Sequence, residues 1–174
     1  MTNTEIINRL HLAMIRFDGG DARRIQHFTK VWAYAMLIAR EERLSEDMQF
    51  VVESAALLHD IGIHIAELKY GHQNGKLQEQ EGPAGVRQVL AEVGGYTPSQ
   101  TERICWLVAH HHTYNVCDDL DYQILIEADF LVNLFEDGEP KDVARRVYDK
   151  IFKTSAGKAV LEDMFLKDYT FEAK

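Results

Sequence analysis

A chain of 174 residues is long enough to bury one sizeable hydrophobic core, so a single globular domain over 1–174 is the expectation. Hydrophobic residues make up 46% and charged residues 27% of it, and no apolar run approaches the ~20 residues of a membrane-spanning helix. The net charge of −9 repels polyanions and argues against nonspecific binding to nucleic acid or to anionic membranes, although a small phosphate ester stays open if a bound metal reverses the local sign.

The start, Met1 to Glu5, lacks the basic stretch and apolar run of a secretory signal, so a cytoplasmic location is the default. Cys105 and Cys117 have no CxxC spacing, which points to reduced thiols and neither a disulfide framework nor a zinc knuckle.

Apolar residues recur at i, i+3, i+4 and i+7 in nearly every segment, and nothing alternates like a half-buried strand, so the spacing predicts an all-α helical bundle. A first helix covers Thr4 to Phe17 and ends at Gly19-Gly20. Asp21 caps a second, which carries His27 and runs to about Arg43. The third starts at Ser45, with Glu46 and Asp47 in its first turn, and stops near Gly62, leaving His59-Asp60 in its last turn.

From His64 to Gln80 the chain is polar, holds Gly71 and Gly75 and shows no sustained period, which reads as a loop or lid. Gly82-Pro83 opens a helix that Gly94-Gly95 closes, and Thr97-Pro98-Ser99-Gln100 is a capping box that starts the next. His110, His111 and His112 fall at that helix's C-terminal end, where cationic or metal-bound groups are electrostatically favoured. Helices over Tyr122 to Glu136, Lys141 to Phe152 and Ala156 to Phe165 complete the bundle, without repeats or a visible domain boundary. Tyr148, Phe152, Phe165, Tyr169 and Phe171 are expected to pack on its core, with packing on a partner as the alternative.

Asp129 is the most informative residue. It lies in Ile124 to Val132, a helix apolar nearly all round and therefore buried, and no lysine or arginine occurs between Arg103 and Lys141. A buried carboxylate costs several kcal/mol unless paired or coordinated, and a metal is the simplest compensating charge. Glu127 beside it is read as a solvated neighbour. The His59-Asp60 pair follows an apolar helix face and precedes a glycine, so both side chains can approach a metal at the helix end. Taken alone, a histidine such as His27 is more often a hydrogen-bonded core residue than a ligand, and its weight comes from its company. The His110-His111-His112 run cannot all face one metal from one helix, but one or two of its members can.

In this order, His27, His59-Asp60, His110-His111 and Asp129, the chain resembles the HD-domain superfamily of metal-dependent phosphohydrolases, from about Asp21 to Phe135. The resemblance implies that His27, His59, Asp60 and Asp129 hold one divalent metal, of Fe, Mn, Mg, Co, Ni or Zn type. Members with two metals add histidines between the pair and the last Asp, and one of those places is taken here by Glu81. A second ion would then rest on Glu81, His110 and His111, since glutamate is a competent oxygen ligand. The Leu-Leu-His-Asp, Gly-Pro and His-Thr segments are similar to those of bacterial dinucleoside tetraphosphate hydrolases, and the Gly-Tyr-Pro tripeptide of cyclic-di-nucleotide phosphodiesterases is missing.

The chemistry so implied is attack on a phosphoester by a metal-activated water. Asp60 would orient that water, His64 would act beside it as a catalytic residue, and Lys69, His72 and Lys76 would meet phosphate oxygens from the polar loop. The expected partner is a small phosphorylated substrate, nucleotide or other, with no nucleic acid or membrane and with a homodimer left open. Two rival readings are a ligand-binding or regulatory helical domain with a structural metal, and a metal-free helical interaction module. No P-loop, nucleophile elbow or dinucleotide-binding glycine pattern offers another chemistry.

Overall fold

The computed structural model describes residues 1–115 and 118–169, so Cys117 and Phe171 lie outside the described residues. Those residues form nine α-helices and no strand: α1 (Asn3–Phe17), α2 (Ala22–Glu41), α3 (Glu46–Leu58), α4 (Gly62–Tyr70), α5 (Gly75–Val93), α6 (Pro98–His110), α7 (Leu120–Glu136), α8 (Lys141–Lys150) and α9 (Ser155–Leu161), with a π-helical turn over Glu162–Leu166. The fold is all-α. None of these helices is long and apolar enough to cross a membrane.

Local signals explain most boundaries. The Asp21 and Ser45 side chains accept hydrogen bonds from the backbone N–H groups of Arg24 and Met48, and Thr97 with Gln100 forms a reciprocal capping box on α6. Helix α2 lies against both α3 and α7, and α5 is sandwiched between α4 and α6. One contiguous core joins Leu10 and Met14 of α1, Phe28 and Val31 of α2, Leu57 and Leu58 of α3, and Leu125 and Leu131 of α7. It extends to Phe152, Leu161 and Leu166 at the C-terminal end.

Glu127 joins that end to α7. Far from being solvated, it is fully buried and accepts hydrogen bonds from the backbone N–H groups of Lys153 (2.7 Å) and Thr154 (2.9 Å), the Thr154 hydroxyl (2.5 Å) and the Gln123 amide (2.7 Å). A carboxylate given that many donors is stable in the interior.

The polar stretch after His64 is helical rather than a loop. Helix α3 ends at Leu58, His59 is its C-cap, and α4 begins at Gly62 after a two-residue joint formed by Asp60 and Ile61. Gly71, at φ +74°, closes α4 in the left-handed region, and the Asn74 side chain caps α5 through Leu77 N–H. Gly82-Pro83 therefore sits within α5 and not at its start. The glycines there are packing positions: a Cβ on Gly62 would lie 2.8 Å from the Gly82 nitrogen, and one on Gly82 would meet Val108 at 2.5 Å.

Candidate metal centre

Four elements converge on one point. His27 comes from the second turn of α2, His59 from the end of α3, Asp60 from the α3–α4 joint, and Asp129 from the middle of α7. His27 Nε2 lies 3.1 Å from His59 Nε2, 3.3 Å from Asp129 Oδ1 and 3.8 Å from Asp60 Oδ2. His59 Nε2 lies 3.5 Å from Asp129 Oδ1 and 3.7 Å from Asp60 Oδ2. Asp129 is only 4% exposed, in keeping with its apolar helix.

The other ring nitrogens are engaged. His59 Nδ1 is 2.9 Å from the Ala56 carbonyl and His27 Nδ1 is 3.0 Å from Glu136 Oε2. Neither acceptor carries a proton to give, so both Nδ1 atoms act as donors and both Nε2 lone pairs turn toward the same space. Two lone pairs and two carboxylates facing one another call for a cation. Burial opposes a proton on His27, yet Asp129, Asp60 and Glu136 outweigh it and push its pKa up to about 9. Burial likewise works to raise the Asp129 carboxyl, but the His27 and His59 rings against it hold it well below the usual range. The same donor set, two imidazoles and two carboxylates with a carboxylate behind one imidazole, fits a divalent metal.

Asp60 has a second face. Its Oδ1 lies 3.1 Å from His111 Nε2 and 3.7 Å from His112 Nε2. The ligand atoms of His27, His59 and Asp60 lie within 4.8 Å of one another, as do those of Asp60, His111 and His112. Two adjacent donor groups thus share Asp60. His111 Nδ1 is 2.8 Å from the Val108 carbonyl, which leaves its Nε2 toward Asp60. His112 Nε2 is also 2.6 Å from Gln78 Oε1, and Glu79 Oε1 accepts from the His112 backbone N–H at 2.9 Å.

The remaining sequence candidates are placed elsewhere. His110, expected beside His111, turns back along α6: its Nδ1 is 2.7 Å from the Trp106 carbonyl and its ring stacks on Trp106 at 4.2 Å. Position 110 is still helical, and only past the helix end does the chain swing its imidazoles to Asp60. Glu81 is not in the cluster either; it faces α4, bound by Lys69 Nζ and by Tyr70 Oη at 2.8 Å, which hold its carboxyl below the ordinary value. Lys69 is committed to that pair. His64 sits among Asp18 (3.3 Å), Asp21 (3.4 Å) and Glu67 (3.1 Å), one side of the joint away from the donor groups. His72 and Lys76 are exposed. Folding of the expected loop into α4 and α5 is what points these side chains elsewhere.

A cavity of about 430 Å³ opens over the cluster, with His27, Asp60, His112 and Asp129 in its wall. Arg23 and Arg24, Gln73 and Gln78, Asn133 and Glu136 complete much of the lining, and sequence reading singled out none of them. For Arg24 and Glu136 a signal exists: each lies one or two helical turns from a ligand position on its own helix. Asn133, four residues after Asp129, donates to Asp129 Oδ1 at 2.8 Å. A larger cavity, about 710 Å³, lies between α1, α2 and α3 and is lined by Trp32, Arg40 and Glu53 among others; it contains neither donor group.

The family model of the HD domain matches residues 24–134, a span that includes both donor groups. The chain belongs to the HD-domain family. The crystal structure of a predicted HD superfamily hydrolase from an uncultured Thermotogales bacterium is similar, with a TM-score of 0.62 and 25% sequence identity over 94% of this chain and 84% of that one. No curated protein matches. The matched span runs from α2 to near the end of α7, and α1, α8 and α9 lie outside it.

Proposed function

We propose that this HD domain is a metal-dependent phosphohydrolase that uses an activated water on a nucleotide or other small phosphoester. The observation that carries the reading is the sharing of Asp60 between two donor groups at the floor of a cavity. A metal kept only for structure has closed coordination, whereas catalytic sites keep a position open to water and substrate; the cavity over the cluster favours the catalytic role.

A divalent ion held there supplies a Lewis acid and makes water a competent nucleophile near neutral pH. The chain's own contribution is orientation. Glu136 and the Ala56 carbonyl fix the tautomers of His27 and His59, and Asn133 holds one Asp129 oxygen. Arg23 and Arg24 bring positive charge to the cavity wall of an otherwise acidic protein, which suits a phosphate ester.

Metal analysis of protein purified without chelators, followed by phosphate release from a phosphoester panel, tests this. Activity restored by added Mn²⁺ or Fe²⁺ and lost in Asp60→Ala is the expected result. Full activity after chelation, or in Asp60→Ala, overturns it.

A further inference from the structure

The cavity over the metal centre is unusual in what lines it. Small-molecule pockets are ordinarily walled mainly by hydrophobic and aromatic side chains. Here Ile63 is the one apolar side chain in the wall, and no phenylalanine, tyrosine or tryptophan lines it among the described residues. A nucleobase is recognised on a π-face or in an apolar slot, with stacking worth about 1–3 kcal/mol per base. Among the described residues, the rings nearest it are the imidazoles of the donor groups and Tyr114, whose hydroxyl is 3.4 Å from His112 Nδ1 and which is not part of the wall.

What the wall does offer is hydroxyl-recognising chemistry. Gln73 and Asn133 present amides, each able to donate and to accept, and the exposed Asp137 presents an acceptor. One Gln73 oxygen is used by Gln78 and one Asn133 donor by Asp129, so each retains capacity toward the cavity. Two guanidinium groups complete the wall. Arg23 is exposed and has no acidic partner among the described residues, and Arg24 is paired through Nε with Asp21 at 3.5 Å. Two guanidinium groups side by side suit a doubly charged phosphate better than a singly charged diester.

Resting on the phosphohydrolase reading above, we propose that the substrate is a small polyhydroxylated phosphate monoester of the sugar- or polyol-phosphate class, not a nucleotide. Its phosphate lies between the donor groups and the two arginines, and its hydroxyls meet Gln73, Asn133 and Asp137. In the reaction, a water oxygen forms a new bond to phosphorus, the phosphorus–oxygen bond to the sugar breaks, and a proton from water ends on the released hydroxyl. The products are inorganic phosphate and the free polyol.

The test uses the full chain loaded with Mn²⁺ or, separately, Fe²⁺. Phosphate release is measured from glycerol phosphate, pentose 5-phosphate and hexose 6-phosphate, from the nucleoside 5′-monophosphates, and, after added phosphomonoesterase, from a cyclic and a dinucleoside diester. A sugar or polyol phosphate should exceed every nucleotide in kcat/KM by 10-fold or more. With it, Arg23→Ala and Asp137→Asn should each raise KM about 10-fold with a smaller effect on kcat. Preference for a nucleoside monophosphate or for a diester overturns this substrate class and leaves the phosphohydrolase standing. Metal-loaded protein that releases phosphate from no ester overturns both.

Discussion

Asp60 Oδ1 faces His111 Nε2 at 3.1 Å while the other oxygen of the same carboxylate faces His27 and His59. A single side chain thereby belongs to two donor groups. Asp60→Asn should lower the metal content of the purified protein to background, whereas His110→Ala, on the same stretch as His111 but stacked on Trp106, should leave it within twofold of wild type. Elemental analysis of the two variants decides: loss of metal in His110→Ala would contradict the placement of that ring.

Glu136 acts through His27. It accepts from His27 Nδ1 and is paired with Lys30 at 2.5 Å. Carboxylates behind a ligating histidine contribute about 10–100-fold in metal affinity. Glu136→Gln should weaken Mn²⁺ binding by that factor in a calorimetric titration while leaving the helical circular dichroism unchanged; wild-type affinity would show that His27 needs no such support.

Asp18 makes stability depend on pH. Burial pushes its carboxyl up to about 6, against the lowering effect of His64 and Arg24, and neither oxygen has a hydrogen-bond partner. Because the folded-state value lies above the ordinary one, this group's contribution is present below about pH 4 and is lost as pH rises through about 6. Asp18→Asn should match wild type near pH 4 and exceed it by about 1–2 kcal/mol at pH 7, after allowance for solvent screening. Thermal melts across that range would show the two Tm curves diverging with rising pH; parallel curves would refute it.

Glu127→Ala should be among the most damaging substitutions away from the metal centre. It strips acceptors from Gln123, Thr154 and two backbone N–H groups, for a loss of about 3 kcal/mol. Urea unfolding measures it, and a change below about 1 kcal/mol would mean that water takes the place of the carboxylate.

Much of this was legible before the fold. Caps at Asp21, Ser45 and Thr97 placed three helix starts, and the burial of Asp129 followed from the apolar residues around it. The stretch from His64 to Gln80 was not legible because its polarity and two glycines mimic a loop. Those glycines in fact mark where one helix ends and the next begins, a distinction visible only through the Asn74 cap. Choosing among His110, His111 and His112 required knowing where α6 stops, since one residue of helix reverses which imidazole turns inward; Trp106, four residues before His110, was the available clue. Glu127 looked like Asp129's solvated neighbour because the segment that supplies its donors lies some 26 residues further on.

Helix α7 carries Asp129 on one side and Glu127 on the other, two residues apart and so on nearly opposite faces. The rail that presents Asp129 to the cluster is thus also the post to which the chain's last helices are tied. Cutting the protein anywhere between Gly138 and Thr154 would remove no donor atom from the centre, yet it would strip Glu127 of the Lys153 and Thr154 donors and leave a buried negative charge one half-turn from Asp129.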